Sequence, residues 1–250
     1  MQEASKALFE KLGIGPVWVE RRDAPEERAG KDPGVATPAR VQAAPKDPSP
    51  ARASKTIPIA DASKLSQASW EELQAMVEHC EACPELTANR TMTVFGARAE
   101  KTRVLLIGEA PGREEDLQGE PFVGASGRLL ENMLAALDLK RGREVSIINV
   151  LKCRPPENRD PLPAEKAACL PFLKRQIALL APERIVCMGK PAMSVVLGYE
   201  GAVSGMRGKR HASELAPGVP VFVTYHPSYL LRSPQEKAAA WRDFLYALQA

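Results

Sequence analysis

Four cysteines constrain the fold of this chain more tightly than any other feature of its sequence. Cys80 and Cys83 form a Cys-x-x-Cys pair, whereas Cys153 and Cys169 lie much further along the chain. If the four bind one centre, the fold must bring these segments together. Four thiolates suit a tetrahedral zinc ion or a cubane iron–sulfur cluster, and the alternative is a set of unrelated buried thiols. The fifth cysteine, Cys187, lies in an apolar run and is predicted to be an ordinary core residue.

Composition restricts the class of protein but leaves its partners open. The chain has 250 residues, of which 44% are hydrophobic, and a formal charge of +3 that neither requires nor excludes nucleic acid. No apolar stretch approaches the roughly 20 residues that a membrane-spanning helix needs, and no secretory signal is visible. We therefore expect a soluble protein of a reducing, cytoplasmic compartment with no membrane partner, in which grouped cysteines are ligands rather than disulfides.

The first 60 residues differ in composition from the rest of the chain. Residues 21–60 contain seven prolines and neither an aromatic residue nor a leucine. Such a segment buries too little apolar surface to offset the entropy of ordering, so we predict a flexible proline-rich linker. Residues 1–20 form a short N-terminal segment, either a docking peptide for a protein partner or a loosely packed extension. Residues 61–250 are predicted to form the folded domain.

Beyond residue 61, runs of β-branched residues alternate with helical patterns. A capping-box pattern that begins at Ser69 opens a helix leading to Cys80. Strands are predicted at residues 103–108, 145–150, 184–189 and 221–225. Helices are predicted at residues 126–138 and 163–180, after Pro191, and after a second capping box at Ser233. This alternation indicates an α/β protein with a parallel sheet that helices cover on both faces.

Polar and charged residues follow three of the predicted strands. The first loop covers residues 108–116, the second covers residues 149–159, the third covers residues 226–232, and an aromatic turn lies at residues 121–124. These segments supply glycines, carboxylates, an amide, an imidazole and several cations. Ligands of parallel sheets bind at the carboxyl ends of the strands, where all three loops begin. The sequence therefore predicts a ligand site at this edge of the sheet.

The motifs in these loops resemble those of the family 4 uracil-DNA glycosylases, the iron–sulfur branch of the uracil-DNA glycosylase superfamily. The resemblance spans about residues 70–249. It rests on the first loop, the Pro-Phe-Val-Gly turn, the run from Asn149 to Pro155, the loop that begins at His226 and the order of the four cysteines. It implies a three-layer α/β/α sandwich with a four-stranded parallel sheet, and a 4Fe-4S cluster bound by Cys80, Cys83, Cys153 and Cys169.

The resemblance also implies an activity, the repair of DNA by removal of uracil. Such an enzyme flips uracil out of DNA and hydrolyses its N-glycosidic bond, leaving an abasic site. The expected partner is uracil-containing DNA, single- or double-stranded, and we expect a monomer that associates with the nucleoid in a prokaryote. The residues expected to bind uracil are Glu109, Ala110, Pro111, Glu115, Phe122, Asn149 and His226.

The chemistry of the base suggests a role for three of these residues. Phe122 is expected to stack on the flipped ring, and Asn149 to accept from uracil N3–H and donate to O4. Cleavage leaves negative charge on uracil, chiefly at O2, and His226 is the expected hydrogen-bond donor to this atom. Taken alone, each also has a structural interpretation, as a core aromatic, a turn residue and an ordinary histidine. The predicted catalytic residues are His226, Glu109 and Asn149.

The first loop departs from the best-known branch of the superfamily, in which an aspartate handles the attacking water. Ala110 and Pro111 occupy that region, so Glu109 is expected either to position the water or to bind the base through its backbone. Glu115 is expected to lie against C5 of the ring and exclude the methyl group of thymine. The alternative for this acidic run is a solvated helix start, where acidic residues are favoured.

The same loops carry the residues predicted to hold DNA. Leu230 and Leu231 are expected to fill the gap left by the flipped base, assisted by Tyr229. His211 is expected near phosphate or solvent. The predicted contacts to the DNA backbone are Lys152, Arg154, Asn158, Arg159, Arg207, Lys209, Arg210 and Arg232.

Other classes of protein fit part of these observations. One is a catalytically silent iron–sulfur module that only binds DNA, and the intact Phe122, Asn149 and His226 argue against it. Another is a nucleotide-binding α/β protein, but the first loop lacks the Gly-Lys-Ser/Thr ending of a phosphate-binding loop. A related branch that binds uracil-DNA covalently has an insertion before the third cysteine, whereas only three residues separate Asn149 from Cys153 here.

Overall fold

The strands of this protein form one parallel sheet. The structure is a computed structural model that describes residues 62–249, so the predictions for residues 1–20 and 21–60 lie outside the described residues. The strands are β1 (Val104–Gly108), β2 (Val145–Asn149), β3 (Arg184–Met188) and β4 (Val221–Thr224). They lie in the order β2-β1-β3-β4, and every neighbouring pair is parallel. The predicted four-stranded parallel sheet is confirmed.

Helices precede the sheet and connect its strands. The chain enters through α1 (Ala62–Gln67), α2 (Trp70–Glu78) and α3 (Pro84–Asn89). The later helices are α4 (Arg113–Gln118), α5 (Ala125–Ala136), α6 (Pro163–Leu180), α7 (Lys190–Leu197), α8 (Pro227–Arg232) and α9 (Lys237–Gln249). None of the helices between residues 62 and 249 has the length and apolar character required to cross a membrane.

The core consists of two apolar layers, one on each face of the sheet. Leu105 and Ile107 of β1 pack in one layer with side chains of α2, α6 and α7. Val104 and Leu106 of the same strand pack in the other layer with α5, α8 and α9. Successive side chains of a strand point to opposite faces, so a strand buried on both faces feeds both layers. This arrangement is the predicted α/β/α sandwich.

The two predicted capping boxes have different outcomes. The box at Ser69 is confirmed, because Ser69 Oγ accepts from the Glu72 backbone N–H at 3.1 Å and Glu72 Oε2 accepts from the Ser69 N–H at 2.7 Å. The box at Ser233 is wrong, because a 3-10 turn at Pro234–Glu236 follows it without a side-chain cap, and α9 begins at Lys237. The segment predicted as a loop after β4 is mostly α8, whose first residue is Pro227.

Candidate active site and cysteine cavity

A cavity of about 340 Å³ lies at the carboxyl edge of the sheet, where β1, β2 and β4 end. All seven residues predicted to bind uracil line it. Three residues from the predicted DNA-binding set, Asn158, Arg159 and Arg232, also line it. The fold therefore brings together residues that are separated by more than 100 positions in the sequence, as expected for strand ends of one parallel sheet.

Asn149 is the last residue of β2 and lies directly opposite Gly108 at the end of β1. It is 2% exposed, and its Oδ1 atom is buried with no hydrogen-bond partner in the protein. A Cβ atom on Gly108 would lie 2.3 Å from Asn149 Oδ1 and 2.7 Å from Phe122 Cζ. Glycine at position 108 thus gives the amide and the aromatic ring room to occupy the same part of the cavity.

Phe122 has an unusual backbone conformation that other residues hold in place. Its φ is 55°, in the left-handed region that costs a non-glycine residue on the order of 1–2 kcal/mol. The Arg141 guanidinium donates to the carbonyl of Pro121 and, at 2.9 Å, to the carbonyl of Phe122. Gly127 also packs closely, since a Cβ atom there would lie 1.8 Å from the Phe122 carbonyl oxygen. Arg141 and Gly127 therefore hold the Phe122 backbone in this conformation.

His226 precedes α8 and caps it. The backbone N–H of Ser228 donates to His226 Nδ1 at 3.2 Å, and Ser228 Oγ lies 2.8 Å from the same atom. A backbone N–H can only donate, so Nδ1 is an acceptor and the ring proton lies on Nε2. Burial, followed by the Arg232 charge, lowers the pKa of His226 to about 4, against an opposing effect of Glu115. At neutral pH the ring is therefore uncharged and offers one N–H donor.

The rings of His226 and Phe122 lie close together in this cavity. Their centroids are 5.4 Å apart and their planes are inclined by 35°. One ring comes from the turn between β1 and α5, and the other from the end of β4. A planar heterocycle in the cavity can contact the face of one ring and an N–H of the other.

Glu109 follows β1 and has the most strongly perturbed carboxyl group of the cavity. Burial, followed by the charge of Asp160, raises its pKa to about 7, while Lys166 and Arg232 act in the opposite direction. Its backbone carbonyl accepts the N–H of Leu151 at 3.0 Å, which ties the first loop to the second. A carboxyl group with this pKa exchanges a proton near neutral pH, as a group that handles water requires.

The Glu115 carboxylate joins the first loop to the aromatic turn. It accepts from the backbone N–H groups of Gly112 at 3.1 Å and of Val123 and Gly124 at 3.0 Å each. The acidic run around it begins α4, in agreement with the interpretation as a helix start. Glu115 therefore has a structural role, and it also lines the cavity. That it excludes the C5 methyl group of thymine stays a prediction.

A second cavity, between α2, α3 and α6, is lined by Cys80, Cys83, Cys153 and Cys169. Arg90 donates to Cys153 Sγ at 3.0 Å. Thr87 also lines this cavity, and its buried Oγ1 has no hydrogen-bond partner. Among residues 62–249, no group of three or more His, Cys, Asp or Glu side chains is arranged to hold a single metal ion. The four cysteines therefore share one cavity.

Burial affects the ionisation of the thiols in this cavity. Burial raises the pKa of Cys169 to about 12 and that of Cys83 to about 11, so both are protonated at neutral pH unless a metal centre binds them. Cys187 lies in β3 and is fully buried in the apolar layer. The prediction that Cys187 is a core residue agrees with this position.

Three residues predicted to contact DNA are corrected by the structure. Lys152 is 2% exposed and donates to the Asn149 carbonyl, so it does not reach phosphate. Leu230 is fully buried in the core and is not available as a wedge. Arg207 is committed within the protein, because its Nε lies 2.6 Å from Asp243 Oδ2 and its guanidinium stacks on a tyrosine ring.

The other predicted DNA contacts remain at the surface or at the edge of the cavity. Leu231 and Tyr229 are exposed, and so are Arg232, Arg210 and Lys209. Arg154 donates to Asn158 at 2.8 Å, and Arg159 is paired with Glu165 and Glu85. His211 is partly buried and its Nε2 lies 2.7 Å from the Met206 carbonyl oxygen, and its proximity to phosphate or solvent stays a prediction.

Several supporting contacts of the site were not predicted from the sequence. Arg141 and Gly127 hold Phe122, Ser228 fixes the His226 tautomer, and Lys152 supports Asn149. Ser228 follows His226 closely enough for the helix-capping pattern to indicate it. No local sequence pattern indicates the roles of Arg141, Gly127 and Lys152, because their contacts with Phe122 and Asn149 form only in the folded chain.

The fold and this cavity define an α/β protein with an aromatic ring, an amide and an imidazole side by side at the strand ends of a parallel sheet. The Uracil DNA glycosylase superfamily model matches residues 95–248. The chain belongs to the uracil DNA glycosylase superfamily, and within it to the type-4 branch.

Relatives with assigned names are similar over most of their length. The type-4 uracil-DNA glycosylase of Archaeoglobus fulgidus is 40% identical over 181 residues, which cover 70% of this chain and 90% of that protein. The type-4 uracil-DNA glycosylase of Thermotoga maritima is 43% identical over 164 residues, covering 65% and 83%. A type-5 uracil-DNA glycosylase of Mycobacterium bovis is 28% identical over 193 residues, covering 63% and 72%.

Proposed function

We propose that this protein removes uracil from DNA by hydrolysing its N-glycosidic bond, leaving an abasic site. The observation that carries the proposal is the strand-end cavity that brings together the Phe122 ring, the Asn149 amide and the neutral His226 ring. The names of its type-4 relatives support the same activity. A base inside a duplex cannot reach such a cavity, so the nucleotide must be flipped out of the helix first.

Asn149 explains selection of uracil over cytosine. Uracil presents an N3–H donor and an O4 acceptor, which match the oxygen and the nitrogen of one amide. Cytosine presents an acceptor at N3 and a donor at N4. The same amide would therefore place its oxygen against the N3 acceptor and its NH2 group against the N4 donor, and neither pair can form a hydrogen bond. The buried Oδ1 of Asn149 lacks a partner in the free protein, and N3–H of uracil supplies that partner.

Bond cleavage places the electron pair of the N1–C1′ bond on uracil, where it is delocalised onto O2. In this proposal the Nε2–H of His226 donates to O2 and stabilises the developing charge. A neutral donor suits this role, because its position is fixed in advance by Ser228 and by burial. Water held by the Glu109 carboxylate then forms a bond to the cationic C1′ of the sugar and gives its proton to that carboxylate, and the released uracil anion takes up a proton from solvent.

The direct test of the proposed function is cleavage of an oligonucleotide that contains one uracil. We expect an alkali-labile abasic site at that position, and intact DNA when thymine or cytosine replaces uracil. A protein that binds the uracil oligonucleotide but produces no alkali-labile site would support the alternative, a silent DNA-binding module.

Ionisation of Glu109 predicts a pH dependence of the reaction. Its pKa is raised to about 7, so the carboxylate that holds water is lost as pH falls through that value. We expect the single-turnover rate to rise about tenfold between about pH 6 and pH 8 and then to level off. His226, with a pKa near 4, stays neutral over this range.

Two variants assign this pH dependence to Glu109. Glu109→Gln should abolish the rise near neutral pH. Asp160→Asn should move its midpoint to lower pH, because the Asp160 charge helps to raise the Glu109 pKa. A midpoint that persists unchanged in Glu109→Gln would assign the titration to another group.

We further propose that Cys80, Cys83, Cys153 and Cys169 bind a 4Fe-4S cluster. The chemistry of the cavity supports it: four thiols, two flanking cations at Arg90 and Lys152, and an unpartnered Thr87 hydroxyl that can donate to a sulfur atom. A Cys-x-x-Cys pair and two further cysteines on the same cavity supply four thiolates, the number that a 4Fe-4S cluster takes. When bound, the cluster supplies a covalent link between α2, the second loop and α6.

The Cys83→Ser variant tests this assignment. We expect anaerobically purified variant protein to contain less iron and sulfide than wild type and to unfold at a lower temperature, because the link to α3 is lost. Cys187→Ala is the matched control, since Cys187 lies away from this cavity, and it should keep its iron. Equal iron in Cys83→Ser and wild type would remove Cys83 from the ligand set, and zinc in the anaerobic wild type would overturn the cluster.

A further inference from the structure

Lys152 connects the cysteine cavity to the uracil-reading residue Asn149. Its Nζ donates to the Asn149 backbone carbonyl at 2.5 Å. It directly precedes Cys153 in the chain, and it lines the cavity of the four cysteines. It does not line the cavity at the strand ends. One residue thus touches the cysteine site and the residue that reads the base, without contacting the base itself.

The surroundings of Lys152 leave its charge without a carboxylate partner. The side chain is 2% exposed, and no carboxylate within residues 62–249 forms an ion pair with it. An isolated buried ammonium is strongly disfavoured, so such groups are normally paired. Cys153 and Cys169 line the same cavity as Lys152, and as thiolates of a bound centre they would supply the missing negative charge. The position of the ammonium therefore depends on the state of these sulfur atoms.

The hydrogen bond to the carbonyl fixes the backbone at the point where β2 ends. On the side of β1, the N–H groups of Val150 and Leu151 donate to the carbonyls of Gly108 and Glu109 at 3.0 Å each. The bond from Lys152 restrains the remaining group, the carbonyl of Asn149 itself. The hydrogen bonds to β1 and the hydrogen bond from Lys152 together keep Asn149 opposite Gly108. A small displacement of this backbone would misalign the Asn149 amide with the base.

We propose that Lys152 is a positioning residue that couples the iron–sulfur site to uracil recognition by Asn149. The proposal rests on the proposed function and on the proposed cluster. The cluster-bound thiolates of Cys153 and Cys169 attract the Lys152 ammonium, and this ammonium donates a hydrogen bond to the Asn149 backbone carbonyl. The restrained backbone then fixes the position of the Asn149 side-chain amide, which binds the edge of the base. Loss of the cluster then weakens uracil selection through a defined contact, in addition to its effect on overall stability.

The Lys152→Met variant removes the charge and the hydrogen bond while keeping a side chain of similar length. We expect the single-turnover rate on uracil DNA to fall about 10–100-fold, the usual cost of removing a supporting residue behind a ligand. Affinity for uracil-free DNA should be unchanged, because Lys152 is buried. The midpoint potential of the bound cluster should become more negative, because reduction adds negative charge beside the removed cation. Lys101→Met, at an exposed position at the opposite end of the sheet, should match wild type in all three measurements.

Hydrogen exchange separates this coupling from a general loss of stability. In iron-loaded Lys152→Met, the amides of Val150 and Leu151 should exchange faster, while that of Ile147, which donates within the sheet region to Ala97, should not. Removal of iron from the wild-type protein should also speed exchange at Val150 and Leu151. This second measurement does not need the variant, so it tests the coupling even if Lys152→Met fails to fold. The coupling would be overturned if Lys152→Met had the wild-type single-turnover rate and cluster midpoint potential. It would also be overturned if iron removal left hydrogen exchange at Val150 and Leu151 unchanged. A wild type that is inactive on uracil DNA but shows the exchange effect would instead refute the proposed function alone.

Discussion

His226→Ala should lower the rate of uracil release in a single turnover by about two to three orders of magnitude, the scale for losing one preorganised donor to a developing oxyanion. The physical reason is the fixed tautomer: Ser228 occupies Nδ1, which leaves Nε2–H for uracil O2. Affinity for a non-cleavable uracil-DNA analogue should fall far less, because phosphate contacts dominate binding.

Two comparisons sharpen this experiment. His211→Ala, which removes a histidine outside the strand-end cavity, should keep the wild-type rate at saturating DNA. Phe122→Ala should weaken capture of the flipped base as well as the rate, because it removes the stacking surface. If His226→Ala binds DNA poorly yet cleaves normally at saturation, His226 is a docking residue and another group stabilises the leaving uracil.

Asn149→Asp should reduce the rate on uracil by about two orders of magnitude or more, because a carboxyl group cannot both accept from N3–H and donate to O4 when it is ionised. In its protonated form, the carboxyl offers a donor to N3 of cytosine and an acceptor to its amino group. Slight activity on cytosine is therefore the expected gain. Single-turnover cleavage of matched uracil and cytosine oligonucleotides measures both effects.

Asn132→Asp is the matched control for this change, since Asn132 is exposed on α5, away from the cavity. It introduces the same charge and should leave both rates as in wild type. Full uracil activity in Asn149→Asp would show that a different group reads the edge of the base. The Lys152→Met variant should resemble a mild form of Asn149→Asp, with reduced uracil activity and no activity on cytosine.

The arrangement of supporting residues explains why a small cavity can be selective. Glu115, Arg141 and Lys152 each bond backbone groups of a residue or segment that faces the base. Backbone groups held in this way need little reorganisation when the substrate binds, and this is the condition under which hydrogen bonds contribute most to catalysis. Substitutions at these three positions are therefore expected to affect the rate more than the affinity for DNA.

The local sequence determined the elements of this protein because their signals are local. The helix at Pro163–Leu180 was predicted with the same bounds, and the strands with bounds that differ by at most one residue at each end. The spacing of hydrophobic residues and the identity of capping residues involve positions only a few residues apart. These signals can therefore be recognised in the sequence without knowledge of the tertiary structure. The loops were also predicted to meet at one edge because parallel strands end there, and the seven base-binding residues that the family resemblance implied within these segments line one cavity.

Only the tertiary structure decided which side chain of a motif faces the site. Leu230 and Leu231 are adjacent and chemically equal, but successive positions on a helix point about 100° apart, so one packs in the core and the other is exposed. Lys152 has the charge of a DNA contact, yet the fold buries it beside the cysteines. The sheet order β2-β1-β3-β4 places Gly108 against Asn149, a contact between residues 41 positions apart. Burial and long-range pairing of this kind arise from packing, which no local pattern records.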